Sequence, residues 1–286
     1  SLTVYHVINY DRILVEHREG TAAAAQQQLD KIFRSWNMAT RQIDEVALSH
    51  ATPEEYGWLM RSQSRFFHTS AKTAPLLDEI CRKLQLTSPS AQNTLLKNPF
   101  DTGYVHEILS VFPDARFLFI QRNPMAIVNS HFRIAKYFGT NKDPFLELLF
   151  SKITLGWTWT WMQRTLRKVL GEKRHGQIAL LYILRSVTQK LKQLEISWAA
   201  VPPEQRLALD YKELMSDQDG VIKRVAAFLE LSPRRDPVYE KPNPRNLSLL
   251  PEVAALETRF RRRLKERGIA QQPLDKIHQL SRKAQE

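Results

Sequence analysis

A single cysteine, Cys81, stands among 286 residues. That excludes an internal disulfide framework and any zinc site built from several thiolates. Glycine is scarce, with 9 residues beside 15 prolines, so collagen-like and low-complexity architectures are excluded as well. No apolar run approaches the roughly 18 residues of a membrane span; the longest, Ile178–Leu184, stops at Arg185. Ser1–Arg12 mixes polar and aromatic side chains and does not read as a secretory signal. Together these absences lead to the expectation of a cytoplasmic protein without a membrane span.

What is present is ordinary for a globular enzyme, 43% hydrophobic and 25% charged, and long enough to bury a core without disulfide or metal. The charge is not ordinary: 42 Lys and Arg face 30 Asp and Glu, a net +12. Such a field attracts a polyanion or a small anionic ligand such as a phosphorylated cofactor. The densest basic run, Arg259 to Lys265, lies on a helix pattern with Val253, Leu256, Phe260 and Leu264 facing inward, so it reads as a solvated face. No nucleic-acid motif accompanies it, and no nucleic-acid partner is expected.

Periodicity supplies a coarse map. Thr3–Ile8 has strand-like residues, and Ala22–Trp36 and Leu76–Leu86 are helical. Thr52-Pro53-Glu54-Glu55 reads as an N-cap, an N1 proline and first-turn acids of a helix through Met60. Thr94–Lys97 reads as a short buried strand, Tyr104–Phe112 as a helix, Arg116–Gln121 as a strand covered on both faces, and Pro124 to Phe138 as a helix. That order predicts a right-handed parallel crossover. Phe145–Leu170 and Ile178–Ala200 are helical; Trp157, Trp159 and Trp161 are expected in the core, the alternative being that they line an acceptor pocket. Arg206–Asp210 is a strand, Ser216 or Asp217 caps a helix through Leu231, Pro233–Pro244 is a loop, and Pro251–Arg267 is a helix ended by Gly268. With no repeat and no clear linker, a single domain over 1–286 is expected, with a βαβα core at 94–138 and a basic helical segment at 251–286.

The chemistry concentrates where the apolar strand ends. Arg122 follows it, Pro124 starts a helix, and Ser130 lies eight residues after the arginine. Ligands of open α/β sheets sit beyond the carboxyl ends of the strands. A guanidinium fork and a hydroxyl placed there suit a phosphate oxyanion. Lys97, ending the preceding apolar segment, is expected to point into the same crevice. The plain alternative is a solvated charge and a helix-surface hydroxyl.

The stretch Leu95-Leu96-Lys97-Asn98-Pro99, then Phe112-Pro113-Asp114-Ala115-Arg116-Phe117, then Arg122-Asn123-Pro124 and Ser130 resembles the core of the sulfotransferases, in their bacterial and tyrosylprotein-type branch. Those enzymes move a sulfuryl group from 3′-phosphoadenylyl sulfate (PAPS) to a hydroxyl or amine, leaving adenosine 3′,5′-bisphosphate (PAP). The resemblance implies an α/β, P-loop-NTPase-like three-layer fold with a central parallel sheet flanked by helices and a helix-rich second half. It implies that Arg122 and Ser130 bind the 3′-phosphate and that Tyr211, in Asp210-Tyr211-Lys212-Glu213-Leu214, contacts the adenine. Lys97 matches the lysine that stabilises the transferring sulfuryl group, where a preorganised cation lowers the barrier. Arg41 to Ala47 resembles the stretch supplying a catalytic acid; Glu45 is the expected general base and Asp44 the second, with His50, His68 and His106 as further candidates. No metal is implied, and the acceptor is a small molecule or peptide; a homodimer is an allowed oligomeric state. The family's upstream phosphosulfate loop, Pro-Arg/Lys-Ser-Gly-Thr-Thr, has no match: Ser70-Ala71-Lys72-Thr73 lacks its glycine, and Gly20-Thr21 is followed by alanines. The expectation is an N-terminally incomplete sulfotransferase domain; the alternative is a non-catalytic nucleotide- or anion-binding module of the same fold.

Overall fold

A computed structural model describes residues 1–41, 46–88, 90–91, 93–141, 143–151, 156–231 and 248–269. In chain order the helices and strands are α1 (Val4–Ile8), α2 (Ile13–Arg18), α3 (Ala22–Ser35), α4 (Gly57–Gln63), α5 (Ala74–Thr87), α6 (Val105–Val111), β1 (Phe117–Gln121), α7 (Pro124–Thr140) and α8 (Pro144–Ser151). There follow α9 (Gly156–Ala200), β2 (Arg206–Asp210), α10 (Tyr211–Ser216), α11 (Gln218–Phe228), α12 (Pro251–Ala254) and α13 (Glu257–Glu266). The architecture is α/β, rich in helix, with a parallel sheet. Helix α9 is broken at Gly171, whose φ of 74° is a left-handed conformation that glycine adopts without a Cβ clash. By internal contacts the chain falls into two compact units, Ser1–Pro113 with Ile134–His175, and Asp114–Arg133 with Gly176–Glu286.

The first unit is built on helix faces. On α5, Leu77, Ile80 and Leu84 recur at helical spacing and are buried, while Leu86 on the same helix is 66% exposed. Leu29 and Phe33 of α3 join them, and Phe33 meets Phe145 of α8 edge to face, ring centroids 6.4 Å apart. The segment Thr3–Ile8, strand-like in composition but without flanking turn signals, forms the helix α1. Its β-branched residues are overridden by where its end amides go: Val4 N–H donates to Thr52 O at 2.9 Å and Tyr5 N–H to His50 O at 3.0 Å. The Nδ1 atom of His6 accepts the Thr3 N–H at 3.2 Å, and burial pushes this imidazole down to about 4. Tyr5 and Asn9 both donate to the buried Glu16 carboxylate of α2, which ties the first two helices together.

Two expectations fail in this unit. The helix read from Pro53 begins only at Gly57, because Pro53 bridges Thr3 in an antiparallel pair and draws the chain out of helical geometry. Thr94–Lys97 forms no strand. Leu95 is 60% exposed, Leu96 packs on the apolar core, and the Lys97 carbonyl accepts from Tyr56 N–H at 3.4 Å rather than from a ladder. The crossover predicted from that segment to the next strand is therefore not formed.

In the second unit β1 pairs with β2, parallel, in a register running from Phe117 opposite Arg206 to Gln121 opposite Asp210. The face carrying Phe119 is buried against Trp198 of α9, centroids 5.3 Å apart, and Leu209 is buried on β2. The other face is open at Ile120, which is 55% exposed, so the strand is not covered on both sides along its length. Asp210 and Asp217 cap α10 and α11, accepting from Lys212 N–H and Gly220 N–H. Phe260 and Leu264 bury one side of α13, its arginines turn outward, and Gly268, φ 66°, ends it with Ile269 N–H returned to Leu264 O. Trp161 is 61% exposed, against its expected place in the core, and the side chains of Trp157 and Trp159 lie outside the described residues, as does the loop 233–244.

Two stability tests follow from this packing. Ile80→Ala removes fully buried volume and lowers unfolding free energy by about 2–5 kcal/mol, while Leu86→Ala changes it by less than about 0.5 kcal/mol; urea denaturation measures both. For His6 the folded state prefers the neutral ring, so the unfolded state binds more protons at acid pH. Its contribution is present above 6.5 and is lost as pH falls toward about 4. His6→Gln, which keeps an acceptor at that position, flattens the stability–pH curve in that window.

Candidate active site

The parallel register decides the first cluster. Gln121 lies opposite Asp210, so the next residue on each strand, Arg122 and Tyr211, emerges side by side at the carboxyl end of the sheet. The Arg122 guanidinium sits over the Tyr211 ring, 4.5 Å from its centroid. Both residues are half-buried, and among the described residues no carboxylate pairs with Arg122. A contact of this kind consumes none of the guanidinium's five N–H donors in a carboxylate pair.

Helix α7 begins at once. The Asn123 side chain accepts from Met125 N–H at 2.8 Å, capping it, with Pro124 at the first helical position. Ser130 lies on the half-buried side, two turns above Asn123, and no hydrogen bond engages its hydroxyl among the described residues. Met125, Val128 and Phe132 form the buried side. Asn129 interrupts that apolar face. It is 2% exposed, donates to Ser248 O at 3.2 Å and accepts from Leu250 N–H at 2.9 Å. Arg133 also donates to Ser248 O, at 2.9 Å. These two side chains fix the segment 248–250 against the helix turn that carries Ser130. Sequence reading missed Asn129; an amide on an apolar helical stripe was the available signal.

Lys97 belongs to the first unit, in a different setting. Its ammonium meets Glu55 Oε1 at 3.1 Å, and its side chain is 72% exposed. The neighbouring Glu54 is buried and pairs with Arg41 at 3.1 Å; burial raises its carboxyl above the usual range, against the lowering by the Glu55 N–H and Arg41. Arg41 N–H in turn donates to Val46 O at 2.8 Å, and Thr40 bridges Ala47 antiparallel. Glu45 and Asp44 lie outside the described residues. Glu54 and Glu55 had read as helix-start acids; their role is to bind two cations.

The histidine candidates have other employment. His50 holds Asp30 through both its ring, at 2.7 Å, and its backbone N–H. His68 stacks on Tyr104, centroids 3.8 Å apart, and His106 is exposed beside Glu107 on α6. Among the described residues no three His, Cys, Asp or Glu side chains gather as a metal-binding group, and no described helix is long and apolar enough to cross a membrane.

Residues 9–236 match the model of the sulfotransferase family. Among solved structures the chain is similar to the crystal structure of sulfotransferase STF9 from Mycobacterium avium, at 15% identity and a TM-score of 0.50, over 93% of this chain and 61% of that one. The fold is thus the α/β, P-loop-like fold of sulfotransferases, and this chain spans about three-fifths of that relative's length. No curated protein matches the sequence.

The stacked pair is measurable by itself. A double-mutant cycle of Arg122→Ala and Tyr211→Ala in urea unfolding gives a coupling of about 0.5–1 kcal/mol, the range of a partly exposed cation–π contact. Tyr211→Phe retains it, because the ring and not the hydroxyl carries the contact.

Proposed function

The chain belongs to the sulfotransferase family, and on that premise we propose that it transfers a sulfuryl group from PAPS to a hydroxyl or amine acceptor, a small molecule or a peptide. The observation that carries this reading is the placement of Arg122 on Tyr211 across the ends of two parallel strands, with the Ser130 helix starting two residues later. The donor set fits the ligand. Arg122 has no carboxylate partner among the described residues, which suits the dianionic 3′-phosphate; the Ser130 hydroxyl adds a neutral donor. Tyr211 offers an aromatic face and a phenol at the adenine side.

Bound PAPS supplies the activated sulfuryl group. The chain's own residues orient it and move the proton. Arg122 and Ser130 bind the phosphate that does not react, so their contribution is to ground-state affinity. Lys97 brings a cation to the sulfuryl oxygens, where negative charge grows during in-line displacement. Glu45 accepts the proton of the attacking acceptor. An acid and a lysine lower turnover when removed without the same loss of affinity, because their interactions strengthen in the transition state.

Arg122→Ala weakens bisphosphate binding by about 1.5–3 kcal/mol, the scale of a charge-assisted hydrogen bond, as read by titration calorimetry. Lys97→Ala and Glu45→Ala each reduce turnover of labelled PAPS by about 10²-fold and leave bisphosphate affinity within a few-fold. Unchanged affinity in folded Arg122→Ala removes that residue from the site. Bisphosphate binding with no turnover in the unaltered chain leaves the non-catalytic binding module as the reading.

A further inference from the structure

Two adjacent carboxylates repel each other unless each finds its own cation. Glu54 and Glu55 do so in different directions. The Glu54 side chain is 4% exposed and takes Arg41, 15% exposed; the Glu55 side chain is 21% exposed and takes Lys97, 72% exposed. The backbone between them is pinned. Glu54 N–H donates to Leu2 O at 3.1 Å, Glu55 N–H to the Glu54 carboxylate at 3.0 Å, and Tyr56 N–H to Lys97 O at 3.4 Å. Residues 54–56 thus grip position 97 twice, through its carbonyl and through its ammonium.

An ion pair this exposed adds little to stability. Its effect lies in the lysine's freedom. The ammonium rides on four rotatable bonds and is a point charge that pairs in many geometries. A carboxylate on a pinned segment selects one of them. Arg41 extends the same frame: its side chain closes on Glu54, and its N–H donates to the carbonyl of Val46, next in the chain after Glu45.

We infer that Glu55 is a positioning residue for Lys97, holding the ammonium in the orientation in which it meets the transferring sulfuryl group, while the Glu54–Arg41 pair anchors Glu55's segment to Arg41 and, through the Arg41 N–H, to Val46. This rests on the role of Lys97 given under Proposed function. Glu55 touches no substrate in this account and takes no proton.

The test uses the full chain, with PAPS turnover followed as bisphosphate released with water as acceptor. Glu55→Gln keeps shape and removes charge: turnover falls by about 10-fold, the scale of a misplaced catalytic group, with the KM for PAPS within about threefold. Glu55→Asp restores most of the rate. In a Lys97→Ala background Glu55→Gln has no further effect, which a merely structural role would not produce. A second readout needs no ligand. Competitive acetylation of the free protein, followed by mass spectrometry, shows Lys97 labelled several-fold faster in Glu55→Gln, with Lys83, paired to Glu79 at 2.9 Å, unchanged as reference. If Lys97→Ala is impaired but Glu55→Gln is not, the positioning role is wrong and the function stands. If Lys97→Ala turns over normally, the role assigned to Lys97 falls and this inference with it. If Lys97 labelling is the same in Glu55→Gln, the two side chains are not held together and the inference is overturned whatever the kinetics.

Discussion

The parallel pairing of Phe117–Gln121 with Arg206–Asp210 is the constraint on which the second unit depends. A shift of one residue would turn Phe119 away from Trp198 and Leu209 out of the core. Apolar packing therefore holds the register, and the register holds the chemistry. Arg122 and Tyr211 are neighbours because the residues before them, Gln121 and Asp210, are partners. The helix that follows is started by Asn123 and Pro124 and needs no other instruction to lift Ser130 two turns above the strand end. Burial energy thus places the Arg122 guanidinium over the Tyr211 ring, with no carboxylate partner among the described residues.

Around Lys97, in the first unit, ion pairs stand where a strand ladder was expected. Thr94–Lys97 has no strand partner among the described residues, yet position 97 is fixed by Tyr56 N–H and by Glu55. The buried Glu54 requires Arg41 for the same reason that any buried carboxylate requires a cation. A positive chain of net +12 keeps two of its acids here as orienting groups.

Local signals were legible in the sequence and long-range ones were not. Arg206–Asp210 is a strand with the bounds its apolar run gives, and Asp217 caps α11 as its position ahead of a helical pattern requires. The Arg122–Ser130 spacing survives because strand, proline and helix are contiguous. The contact of Arg122 with Tyr211 was invisible, since nothing in a sequence marks which distant strand a parallel strand will choose. Val4–Ile8 misled through β-branched propensity, which lost to amides anchored on residues 50 and 52. Glu54 and Glu55 misled because a proline followed by two acids looks the same at a helix start and in an ion-paired segment.

The central claim is that the strand-end cluster reads a 3′-phosphate, and the most direct measurement separates that phosphate from the rest of the nucleotide. Adenosine 3′,5′-bisphosphate and adenosine 5′-monophosphate are titrated against the unaltered chain and against Arg122→Ala. The account predicts that the unaltered chain prefers the bisphosphate by about tenfold or more and that Arg122→Ala abolishes the preference while still binding the monophosphate. Equal loss of affinity for both nucleotides in Arg122→Ala, or an undiminished preference, would contradict it.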